Sequence, residues 1–323
     1  MRIKTTFAVL VLATAIHARG AATAEDFARK FSKQTILVIQ IDTKSACPVP
    51  IPCRAHVTGH IVKVVNDPGQ QGRLTAGFDA NILQQRPGMG DTGWSTTFTD
   101  VGEQYVVGSK PDRPLPETIE VPEWVARVKD QEELVGDLDL ILSSAPLPLA
   151  ARIATLSAAL TSPGRRGGPV LAGYLVALLA ESDDRDADAV SEAVEAGGTD
   201  SLSTAGKNAL LGSLWQEVRE RRMPPVILLR LLVRVTMAYL VDAPASPRVD
   251  EPDLRLQIVR NQLPWILNSE EATAVLQNEL ASVTKDRLRR RAQESEEWDA
   301  PPFSAVDRRV LTRLAVLMGG TPR

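Results

Sequence analysis

Apolar positions along this chain keep two different periods. From residue 35 to 108 they alternate or form short β-branched runs; from 149 onward they recur every three or four residues. The β-branched stretch 35–41 predicts a strand. Alternation over 55–65 predicts a second, with Ala55, Val57, Gly59, Ile61 and Lys63 on one face and His56, Thr58, His60, Val62 and Val64 on the other. Asn66-Asp67-Pro68-Gly69 reads as a turn. The stretch 74–83 reads as a third strand, a glycine-rich loop with Gly88, Gly90 and Gly93 precedes 94–99, and 103–108 is a last strand. About five short strands in so few residues predict a small barrel or sandwich.

Pro111, Pro114, Pro116 and Pro122 then crowd the stretch 111–122, which reads as a stiff linker. Beyond it, 123–323 reads as α-helical. Leu149, Ile153, Leu156 and Leu160 share a helix face, and Pro169 suits the first turn of a helix carrying Leu171, Leu175 and Leu178. A helix over 187–196 ends at Gly197-Gly198, and Leu210, Leu211, Leu214, Trp215 and Val218 mark another. The stretch 226–241 is apolar almost all round, which predicts a central position. Pro264 is expected to end or kink the next helix. Asn268 and Glu271 have the spacing of a capping box, and Ser304 is placed to cap a last helix. The expected fold class is thus multidomain: a β-rich domain over 25–110, then an all-α domain. Succession of helices with short links is similar to HEAT or armadillo-like solenoids, although no fixed repeat period is found; a globular bundle is the alternative.

The N-terminal region carries a further resemblance. Cys47 and Cys53, followed by Ala55, Val57 and Gly59, resemble the opening of the netrin-like module of tissue metalloproteinase inhibitors. Gly102-Glu103-Gln104-Tyr105-Val106-Val107-Gly108 resembles its late strand. The resemblance covers 47–108 and implies an OB-type barrel. It does not imply protease inhibition: the inhibitors begin their mature chain with a metal-chelating cysteine, and here Cys47 is the first cysteine.

The first 24 residues have the form of a signal peptide. Arg2 and Lys4 precede an apolar run over 7–16, too short to cross a membrane as a helix, and Ala22-Thr23-Ala24 supplies the small-x-small cleavage pattern. The expectation is an exported product, periplasmic or extracellular, that starts at Glu25; the alternative is an uncleaved anchor. In that setting the two cysteines of the chain, Cys47 and Cys53, are expected to form a disulfide rather than remain free thiols. No later stretch reads as a membrane span, since Arg230 and Arg234 interrupt 226–241.

Charge and residue types limit the chemistry. Formal charge is −3, and loss of Arg2, Lys4 and Arg19 makes the product more acidic, which argues against general nucleic-acid binding. Aromatic residues make up 4%, so the cores must be aliphatic. His56 and His60 share a strand face but lie roughly 13 Å apart at strand rise, too far to share a metal. No Gly-x-Ser-x-Gly elbow is present, and Ser282-Val283-Thr284-Lys285 stands without companion motifs. Arg165, Arg166, Gly167 and Gly168 precede a helix start and form a candidate anion-binding loop, read against a plain solvated connector. The basic run 287–291 reads as a solvated helix end neutralised by the acids after it. Arg230 and Arg234 are expected to pair with acids of a neighbouring helix, or to line a groove.

No cofactor, metal ligand set or catalytic residue is assigned by these patterns. The functional expectation is an exported, non-enzymatic protein-binding or scaffolding module of the cell envelope with a protein partner. A secreted hydrolase working through carboxylates is the alternative.

Overall fold

The computed structural model describes residues 30–47, 52–68, 77–84, 94, 99–109, 113–130, 132–161, 166–182, 190, 202–220, 226–242, 254–280, 282–294 and 303–319. The expected signal peptide lies outside them, as does most of the helix expected over 187–196. The chain divides between Leu147 and Pro148 into two compact units.

The first unit is built on five antiparallel strands: β1 (Ile36–Lys44), β2 (Cys53–Asn66), β3 (Gly77–Gln84), β4 (Gln104–Gly108) and β5 (Trp124–Arg127). Their spatial order is β3-β2-β1-β4-β5. The first four strands make a Greek key, because β4 returns to lie beside β1. Among the described residues β3 and β5 are not paired, so the sheet is open rather than a closed barrel. Register shifts in the β1–β2 pair at Ile36/Leu37, Val38/Ile39 and Ile41/Thr43 bend it.

Alternation decides what the sheet buries. Leu37, Ile39, Ile41, Ala55, Val57, Phe78, Ala80, Ile82, Tyr105 and Val107 form one core face, closed by Trp94 and by Ile119 of helix α1 (Glu117–Glu120). Helix α1 touches both β3 and β4, and Trp94 Nε1 donates to Ile119 O at 2.7 Å. The indole ring meets Tyr105 edge-on, with centroids 5.5 Å apart. On the opposite face the row Lys63, Val38, Val106, Ala126 crosses four strands, and helix α2 (Leu134–Ser144) reaches it through an ion pair between Asp139 and Lys63.

The division of the chain therefore falls beyond the proline-rich stretch 111–122, where the sequence places it. Residues 113–122 carry α1, which completes the first core, and β5 follows as an edge strand on β4. Four residues of strand after Pro122 are too short to show a period, so no pattern marks β5 and the helical reading of 123–323 takes in 123–147.

The second unit is helical: α3 (Leu149–Thr161), α4 (Pro169–Ala180), α5 (Thr204–Glu220), α6 (Val226–Asp242), α7 (Leu254–Gln257), a π turn (Ile258–Gln262), α8 (Leu263–Asn268), α9 (Glu270–Asn278), α10 (Ser282–Glu294) and α11 (Ala305–Leu317). As its all-round apolar surface predicts, α6 is central; Leu228, Leu231, Leu232, Val233, Val235 and Met237 are fully buried. It touches α5 and α7 but also α9 and α10, far along the chain. In a solenoid each hairpin meets only its neighbours. Among the described residues α3 to α6 meet in sequence, whereas α9 and α10 return to α6, and α11 packs on α10, α8 and the π turn.

Three helix ends marked in the sequence have different outcomes. Pro264 does not end its helix: the π turn before it absorbs the missing backbone bond, and α8 continues. The cap of α9 is Ser269, not Asn268, with Ser269 Oγ accepting from Ala272 N at 3.2 Å. Asn268 instead ends α8 and accepts from Arg313. Ser304 does cap α11, in a full capping box with Asp307.

Candidate functional site

Five elements of the first unit deliver polar groups to one pole of the sheet. Lys44 ends β1, Gln84 ends β3, Tyr105 is the second residue of β4, Arg127 ends β5, and Thr99 and Asp100 lie on the segment entering β4. Thr99 Oγ1 accepts from both Lys44 Nζ and Gln84 Nε2, each at 2.5 Å. Asp100 N donates to Tyr105 Oη at 2.8 Å, the Asp100 carboxylate pairs with Arg127, and the guanidinium lies over the Tyr105 ring, 5.8 Å from its centroid. Burial pushes the Tyr105 phenol up, against the bonds from Asp100 and Arg127. Burial likewise lowers Lys44, while Asp100 opposes that shift. The sequence carries little sign of this cluster, because its members are one residue each from distant strands.

Cys47 and Cys53 close the β1–β2 connection at the same pole, with Cα atoms 6.0 Å apart, a disulfide distance. Cys53 faces Gln84 across the β2–β3 pair.

His56 and His60 stand on one exposed face, as the alternation predicts, yet each has its own aspartate. His56 Nδ1 lies 3.4 Å from Asp79, and His60 Nδ1 lies 2.9 Å from Asp42, on the bulged part of β1. Among the described residues no three His, Cys, Asp or Glu side chains gather as a metal site. Around the histidines the open part of this face carries Gln40, Thr43, Thr58, Asn81 and Gln104. Thr43 and Thr58 hydroxyls are bonded at 2.6 Å. Uncharged hydrogen-bonding groups thus hold the centre, and Asp42, Asp79 and Arg54 stand among them and at the rim.

The glycine-arginine loop is partly described. Arg165 lies outside the described residues, and Arg166 is exposed. Gly167 is buried in a parallel bridge with Leu202, and its carbonyl accepts from Ser203 N at 3.0 Å. A Cβ there would lie 2.7 Å from both Leu171 and Leu202. Gly168 caps α4 without a side-chain bond. At Gly167 the lack of a side chain serves helix packing, and no second feature marks an anion.

Within the basic run on α10, Arg287 and Arg290 are exposed and Arg289 pairs with Asp286, as a solvated helix end should be, but Arg291 and the cations on either side of the run, Lys285 and Arg313, have other work. Lys285 donates to Gln277 O and Arg291 to Val241 O, while Arg313 of α11 donates to Leu267 O at 2.5 Å. Those carbonyls belong to the last turns of α9, α6 and α8, so three cations close three helix C-termini. Lys285 is spent in this way, and Ser282 opens α10 rather than lying deep within it. Arg230 pairs with Glu279 at 3.0 Å, an acid just past α9, as expected.

Among the described residues no helix is long and apolar enough to cross a membrane. No protein-family model, curated protein or solved structure matches the chain at a significant level.

Proposed function

We propose that the protein is an exported, non-enzymatic protein-binding or scaffolding module of the cell envelope, with the open sheet face of the first unit as its contact surface. The observation behind this reading is the composition of that face. Its centre holds Thr43, Thr58, Gln40, Gln104, His56 and His60, side chains that bond to a partner without the desolvation cost of a bare charge. Protein interfaces deplete bare charge at the centre, and the two carboxylates among these groups, Asp42 and Asp79, each lie against a histidine. The Greek key and the bent β1–β2 pair also agree with an OB-type netrin-like module, whose barrel would need β3 and β5 to meet. A disulfide at one pole suits an oxidising compartment.

Affinity capture from the native envelope fraction tests the reading. The protein without its first 24 residues should retain a defined partner. A Thr58→Glu, His56→Glu double variant should lose it, and Arg309→Glu on the helical unit should keep it. Retention of the same partner by the sheet-face variant, or capture of nothing by any form, would sink the proposal. Fractionation of the expressing cells tests export separately.

A further inference from the structure

The two residues at the centre of the pole cluster are withdrawn from water: Thr99 is 2% exposed and Gln84 is 1% exposed. The Gln84 carboxamide nitrogen lies 2.5 Å from Thr99 Oγ1, across 15 residues of chain. The donating nitrogen is bonded to the acyl carbon Cδ, and its acceptor is a hydroxyl nucleophile; such a pair reacts when a neighbouring group carries the proton. Lys44 Nζ stands on the same oxygen, at 2.5 Å. Among the described residues Thr99 Oγ1 is thus contacted by a carboxamide nitrogen and an amine, delivered by β3 and β1.

We propose that Thr99 and Gln84 become joined by a side-chain ester that the folded protein forms itself, with Lys44 moving the proton. Thr99 Oγ1 attacks Gln84 Cδ as its proton passes to the neutral Lys44 amine. The tetrahedral intermediate expels Nε2, which takes that proton back from Lys44 and leaves as ammonia. One C–O bond forms, one C–N bond breaks, and Lys44 ends as it began; no oxidant or cofactor enters. Burial favours the neutral amine that the first step needs, against the pull of Asp100. It also excludes water, the nucleophile that would reopen the ester. Ammonia is lost to the solvent, which makes the step effectively one-way. The bond would fasten the end of β3 to the segment entering β4, beside the disulfide that fastens β1 to β2.

Intact mass of the folded, reduced wild-type protein decides the matter. The expected mass is one ammonia below that of the sequence. Cleavage before Asp79, Asp91 and Asp100 should leave peptides 79–90 and 91–99 joined, and hydroxylamine should separate them. Thr99→Val and Lys44→Met should each show the full mass, with folding checked by circular dichroism. A wild-type protein of full mass, with Gln84 and Thr99 recovered on separate peptides, would overturn the proposal, whatever the variants do. Loss of ammonia mapped to an asparagine succinimide would overturn it equally.

Discussion

Gly108 and Trp124 face each other across the β4–β5 pair, and the indole fills the space that a side chain at 108 would need. A hydrogen bond from that same edge holds the ring there: Trp124 Nε1 donates to Gln34 Oε1 at 2.9 Å, and Gln34 Nε2 donates to Glu123 at 2.7 Å. Phe31 adds an edge contact at 6.2 Å between centroids. Gly59 and Phe78 repeat the arrangement on the other core face, where a Cβ at 59 would lie 2.6 Å from Phe78 Cζ. Each aromatic ring covers backbone that a glycine leaves open, at the places where the sheet is joined to an edge strand.

Gly108→Val should therefore act as an overpacking change. Displacing the indole should cost about 1–3 kcal/mol. Urea denaturation followed by tryptophan fluorescence measures it. A stability equal to wild type would show that Trp124 does not lie on Gly108.

Asp307 links the capping box of α11 to Arg260. It is 4% exposed, its carboxylate takes Ser304 N at 2.8 Å, and Arg260 Nη2 reaches it at 3.0 Å. Burial alone would raise its pKa, but the bonds from Arg260 and Ser304 outweigh that, and the carboxyl is held below the ordinary range. A folded pKa below the unfolded one adds stability above the unfolded value and loses it as pH falls through the folded one. Asp307→Asn should cost about 1–2 kcal/mol at pH 7, the size of a lost cap. The gap to wild type should narrow below about pH 4. Denaturation at a series of pH values reads both; a gap that widens on acidification contradicts the assignment.

On α6, Thr236 Oγ1 and Tyr239 Oη are buried, at 0% and 1% exposure, and have no hydrogen-bond partner among the described residues. Burial pushes the Tyr239 phenol far above its ordinary value. An orphaned buried hydroxyl lowers stability, and its removal without change of shape relieves that cost. Thr236→Val and Tyr239→Phe should each be neutral or stabilising, by up to about 1 kcal/mol. Destabilisation by either change would mean that the hydroxyl has a partner, such as a bound water.

Reduction of the Cys47–Cys53 pair should loosen the first unit alone. The closed loop is short, so the loss is about 2 kcal/mol in the chain-entropy account. Differential scanning calorimetry with and without reductant should show a lower transition for the sheet unit and an unmoved one for the helices. A single transition that shifts as a whole would contradict the division at Leu147.

What the sequence determined by itself is the local level, where one period or one cap decides. The alternation in β2 sorted Ala55 and Val57 from His56 and His60, because a strand sends successive side chains to opposite faces. The apolar surface of α6 announced a helix surrounded on all sides, and Ser304 announced the start of α11. Tertiary structure decided what depends on distant residues. The edge strand β5 is four residues long and exists because β4 offers it a ladder. Lys285 and Arg291 of α10 look like members of a solvated basic stretch until the carbonyl ends of α9 and α6 are brought to them. Lys44, Gln84 and Thr99 become a cluster only when β1, β3 and the segment before β4 end at the same pole. Antiparallel pairing places those ends together, and no pattern along the chain records it, since pairing joins residues by register rather than by sequence distance.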